Sequence, residues 1–195
     1  MNDLMDFSAT AIDEIISLTV TNELIKSIPI ASNIVKAIEA SKNIRDVIFV
    51  KKIAKFLFEL DNISERKKLN LIELLKGEGN TEEKRKVGEV LICILDKCSD
   101  FDKPIFIARV FAAFLEKRIT YIQLVRLFNA IDGATSDDLY VLTAEPNISQ
   151  KTSFLNILLN TGLTENHAGT ASGSLVHFHI RLSELGRLLI ECYKN

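Results

Sequence analysis

Between Ile44 and Leu60 the apolar side chains occupy more than half of a helical circumference. At about 100° per residue, Arg45, Lys51, Lys52, Lys55 and Glu59 share one arc. Val47, Phe49, Val50, Ile53, Ala54, Phe56, Leu57, Phe58 and Leu60 fill the wider opposite side, and only Asp46 and Ile48 break the division. A surface helix of a small domain hides one stripe, whereas a face this broad must be covered on more than one flank. Two environments do that: the middle of a helical bundle, or a bilayer surface that takes the apolar side while the basic arc meets head groups. The bundle is the simpler expectation.

The rest of the chain supplies partners for such a helix. It has 195 residues, 47% hydrophobic and 26% charged, with only 3 Pro and 8 Gly. That is enough apolar material for one large domain, or a medium domain with a small appendage, and it excludes a disordered or fibrous chain. No apolar run approaches the roughly 18 residues of a membrane span. Met1 to Met5 lacks the basic start and apolar core of a secretory signal. The 3 Cys, an odd number with no metal-ligand spacing, fit a reducing cytosol. A cytoplasmic protein, at most peripheral to a membrane, is the expectation.

Helical periodicity recurs along most of the sequence. Leu4 to Ile25 has apolar residues at spacings of three, four and seven; Pro29 breaks the pattern and opens a second helix to about Ser41. Asn43 is placed to cap the helix over Ile44–Leu60. Ser64 precedes a further helix to Leu75, and Gly77-Glu78-Gly79-Asn80 is a loop. Helices are then expected from Thr81, with Val87, Val90, Leu91, Ile94 and Leu95 inward, from Ile105 to about Lys117, and from Tyr121 to Ile131.

After Asp132-Gly133 the texture changes. A short helix over Thr135–Ala144 precedes one capped by Ser149 and ended by Gly162. Two alternating runs, Leu163–His167 and Leu175–Leu182, flank a Gly- and Ser-rich tip, and a helix from Ser183 to Tyr193 closes the chain. The sequence therefore predicts a mainly α protein. A multi-helix bundle over residues 1–133 is followed by a small winged-helix-like unit over 134–195 with one β-hairpin.

Charge is segregated although the formal net charge is only −2. Residues 1–25 carry five acids and no Lys or Arg, whereas residues 26–68 carry ten basic groups against five acids. The plain explanation pairs the acidic first helix with the basic region. The alternative turns the arc of Arg45, Lys51, Lys52 and Lys55 toward an anionic partner. Nucleic acid is a poor candidate for that partner. Residues 145–195 balance four basic groups against four acids, and the helix in the recognition position offers only Lys151. Lys and Arg contacts to phosphate supply most non-specific DNA affinity.

Signs of catalysis are lacking. The sequence has no phosphate-cradling Gly motif, no nucleophile elbow and no paired Cys motif. The three histidines, His167, His177 and His179, fall on the hairpin, where three imidazoles would suit a zinc ion. They also lie opposite Val176, Phe178 and Ile180, where a solvated strand face needs polar residues. No cofactor is expected. Cys93, between Ile92 and Ile94, is expected to be a small buried hydrophobe.

Ser27-Ile28-Pro29-Ile30, then Ile34-Val35-Lys36, then Ile44-Arg45-Asp46-Val47-Ile48-Phe49-Val50-Lys51-Lys52, resembles a block in small, poorly characterised bacterial helical proteins whose tails end like Leu182-Ser183-Glu184-Leu185-Gly186. More distantly, the chain is similar to abortive-infection alpha proteins, which are associated with phage resistance. The resemblance implies a bacterial source and a defence or mobile-element setting, and it brings no catalytic residues. The expected function is a non-enzymatic interaction protein that binds a protein partner or self-assembles. The alternatives are a membrane-acting effector using the basic helix and a winged-helix DNA-binding regulator.

Overall fold

The broad apolar face of Ile44–Leu60 is realised as one helix, α1 (Ile44–Asp61), which packs against two others. In the computed structural model, residues 44–62, 81–144, 152–168 and 178–194 are described. The expected helices over 4–25, 29–41 and 65–75, and the loops at 77–80 and 145–147, lie outside them. Seven α-helices and one two-stranded antiparallel sheet are present among the described residues. The protein is mainly α. By internal contacts it divides into two compact units, residues 1–121 and 122–195.

The first unit contains α1, α2 (Thr81–Lys97) and α3 (Lys103–Leu115). From α1, Val50, Ile53, Phe56, Leu57 and Leu60 are buried, at spacings that span a wide arc. Phe56 meets Phe111 of α3 with ring centroids 5.7 Å apart and planes tilted by 55°, within the favoured range for aromatic pairs. On α2, Val87, Leu91, Ile94 and Leu95 form the buried stripe, and Cys98 continues it just past the end of the helix. Helix α3 is hidden nearly all round: of its residues only Ile105, Arg109 and Phe114 escape full burial. Helix α3 is thus enclosed even more completely than α1.

Asp100 fixes the start of α3. Its carboxylate accepts hydrogen bonds from the backbone N–H groups of Asp102 and Lys103, at 2.9 and 3.0 Å. It thereby satisfies donors that a helix N-terminus leaves open, and its negative charge suits that end of the dipole. Pro104 sits in the first turn, where its missing N–H costs nothing. The helix ends in a Schellman motif: Arg118 N–H bonds Ala113 O and Lys117 N–H bonds Phe114 O. Lys117 occupies the left-handed position at φ 58°.

The second unit begins one residue into α4 (Tyr121–Gly133) and continues through α5 (Ser136–Ala144), α6 (Thr152–Ile157), a 3₁₀ turn over Leu159–Thr161, β1 (Thr164–Ala168), β2 (Phe178–Leu182) and α7 (Glu184–Lys194). Thr135 caps α5 by accepting the Asp138 N–H and donating to the Asp138 carboxylate. Leu124, Leu127, Phe128, Leu139, Leu142, Leu155 and Leu189 are buried core residues of this unit.

The segment expected to run as one helix from Ser149 to Asn160 is α-helical only over Thr152–Ile157 among the described residues. Beyond Ile157 the chain tightens: Thr161 Oγ1 donates to Leu158 O, and Gly162 takes φ 77°. Asn160, Thr161 and Gly162 are all weak helix formers, so a tighter turn replaces further α-helix. The chain then enters β1 without a longer connection.

Strands β1 and β2 pair with Thr164 opposite Leu182, Glu165 opposite Arg181, Asn166 opposite Ile180 and His167 opposite His179. Alternation puts Thr164 and Leu182 on the buried face and the Glu165, His167, His179 and Arg181 set on the other. Ser183 joins the hairpin to α7. Its N–H donates to Leu163 O, its hydroxyl donates to Gly162 O, and its Oγ accepts the Gly186 N–H at 3.0 Å.

Candidate functional site

Helical spacing carries the basic arc of α1 past the C-terminal end of α2 and the turn that follows it. Arg45 Nη2 pairs with Asp96 Oδ2 at 3.2 Å, and Lys55 Nζ pairs with Asp102 Oδ1 at 2.8 Å. Lys52, only 6% exposed, donates from Nζ to the main-chain oxygen of Asp96 at 2.9 Å. The Lys51 ammonium stands 6.0 Å from the centroid of the Phe101 ring, at the outer limit of a cation–π contact. The four expected arc residues therefore lie along one ridge, and all four engage residues 96–102.

Arg45 and Lys52 reach Asp96 by separate routes, through its carboxylate and its carbonyl. The carbonyl belongs to the last turn of α2, where helix geometry leaves oxygens without an intrahelical partner. A cation there also complements the negative end of the helix dipole. Asp96 itself carries negative charge at that unfavourable end, and Arg45 offsets it. Lower on the same helix, Glu59 accepts a hydrogen bond from Arg109 Nε of α3 at 2.6 Å.

The plain expectation for the arc was pairing with the acidic first helix, whose residues lie outside those described. What the described residues show is pairing with Asp96 and Asp102. Sequence reasoning overlooked these acids, although Asp96, Asp100 and Asp102 form an acidic connection of complementary sign. Two exposed apolar side chains sit on the same ridge: Ile48 is 38% exposed and Phe101 41%.

On the hairpin, His167 and His179 face each other across the strands with ring centroids 5.4 Å apart, inclined by 69°. Beside them Arg181 Nε donates to Glu165 Oε1 at 2.8 Å. His177, the third candidate, lies outside the described residues. Among the described residues there is no group of three or more His, Cys, Asp or Glu side chains placed to hold a metal ion.

Cys93 departs from expectation. It is exposed, while Cys98 and Cys192 are buried. The buried stripe of α2 runs through residues 87, 91, 94 and 95, and helical geometry turns position 93 away from it. No helix among the described residues is long and apolar enough to cross a membrane. Comparison of the chain with protein-family models, curated proteins and solved structures found no match.

Proposed function

We propose that the protein is a non-enzymatic interaction protein of bacterial origin, serving anti-phage defence or a mobile element by binding a protein partner or a second copy of itself. The bacterial and defence setting rests on the resemblance of the block from Ser27 to Lys52. The observation that supports protein contact is the composition of the α1 ridge. Arg45 and Lys55 are paired with Asp96 and Asp102, and exposed Ile48 and Phe101 lie among these charges. An apolar and aromatic centre within a polar rim is the usual anatomy of a protein-binding surface.

The membrane-acting alternative needs the same cations free for head groups. Each basic residue near an anionic surface is worth roughly 1 kcal/mol, and pairing with Asp96 and Asp102 works against that gain. The DNA-binding alternative draws support from the order of helices, hairpin and closing helix in the second unit. Against it, α6 has six residues and no Lys or Arg, so it offers little to a phosphate backbone.

Capture from phage-infected bacterial cells, with mass spectrometry and light scattering of the purified protein, tests the leading reading. Wild type is expected to retain a partner or to self-associate, and Ile48→Glu with Phe101→Glu is expected to abolish that without unfolding. A monomer that retains no partner, or a partner still held by the double variant, overturns it.

A further inference from the structure

We propose that His167 and His179 form a two-imidazole site for a divalent transition-metal cation of the zinc, nickel or copper class, which would staple β1 to β2. The two residues are directly paired in the antiparallel register, on the more exposed face of the hairpin. Two imidazole nitrogens bound at about 2.0–2.1 Å to one tetrahedral ion place their ring centres about 5.2 Å apart. The observed separation is 5.4 Å. The rings as they stand are therefore at the spacing of a chelate. Aiming both nitrogens at one point requires rotation about the side-chain torsions, and the half-exposed and exposed positions of the rings leave room for it.

No hydrogen bond within the described residues engages either imidazole, so a cation competes there with the edge-on contact between the two rings. Imidazole is a preferred ligand for these metals. The positive charge nearest in register, Arg181, is paired with Glu165, which reduces its repulsion of a cation. Water would complete the coordination. This site is independent of the ridge on α1, so it stands or falls separately from the interaction reading.

The test is a zinc titration of the full chain in a Cys93→Ser background, which removes the exposed thiol as a competing ligand. Calorimetry and imidazole nitrogen NMR are the readouts, and circular dichroism checks the fold of each variant. The expected result is one ion per chain, with the His167 and His179 resonances shifting together. His167→Gln and His179→Gln should each weaken binding by at least about tenfold, the loss that removing even an outer-shell partner brings. Absence of binding at millimolar zinc overturns the proposal, as does affinity that survives in either single variant or in the double variant.

Discussion

Lys52 on α1 hydrogen-bonds the carbonyl of Asp96 in the last turn of α2, 2.9 Å away, from a position almost closed to solvent. A lysine that the sequence assigns to an outward basic arc thus serves as a cap between two helices. A charge-assisted bond contributes more than a surface ion pair, because the carbonyl it satisfies has no intrahelical partner. Lys52→Met, which keeps the apolar stem, is expected to cost about 1–3 kcal/mol in urea unfolding. Arg45→Ala and Lys55→Ala should each cost about 0–1 kcal/mol, as exposed pairs do. Asp96→Asn keeps the carbonyl and removes a charge from the negative end of a helix, so its net effect should stay within about 0.5 kcal/mol.

The same pairing bears on membranes. Wild-type protein is expected to remain in the supernatant when sedimented with anionic vesicles at low salt, where screening is weakest. Co-sedimentation that vanishes on neutralising Lys51 and Lys55 would instead support the lipid reading.

Gly186 lies where α7 crosses the entry to β1. A Cβ built there would come within 2.1 Å of Leu163 O, a backbone atom that also accepts the Ser183 N–H. Ala exceeds Gly in helix propensity by about 1 kcal/mol, yet Gly186→Ala is expected to destabilise by at least about 2 kcal/mol, since overpacking against backbone forces the strand or helix to shift. Thermal unfolding of the variant reads the sign directly.

Lys117 presents the opposite case. It holds a left-handed conformation at φ 58° to close α3, a position that glycine takes without steric penalty. Lys117→Gly is expected to stabilise the protein by about 1 kcal/mol. For a chain of this size that corresponds to a rise of about 2–4 °C in Tm.

The cysteines give a chemical check on burial. Cys93 is exposed and Cys98 and Cys192 are buried. A thiol reagent is expected to modify one cysteine per chain rapidly in the native protein and all three after denaturation. Mass mapping should place the rapid adduct on Cys93. Rapid labelling of Cys98 would contradict the packing of α2.

Much of the architecture is local and therefore legible in the sequence. Apolar spacing marks α1, α4 and α5 to within a residue or two and α2 at its start, and alternation after Gly162 marks the hairpin with His179 and Arg181 on one face, because a period of 3.6 or 2 is a property of each segment alone. Two local features depart from periodicity, the end of α6 and the side of α2 on which Cys93 lies. In α6 a Thr-Gly exit shortens the helix, and at position 93 apolar neighbours in sequence are not neighbours on the helix face. The ridge on α1 is of another kind. Arg45 meets Asp96 across 51 residues and Lys55 meets Asp102 across 47. The sequence by itself determined that α1 has a basic arc opposite a broad apolar face, since side-chain direction follows from helical geometry. Only the tertiary structure decided which acids answer that arc and that Lys52 turns inward, because such pairing depends on how α1 and α2 pack, and no local spacing encodes it.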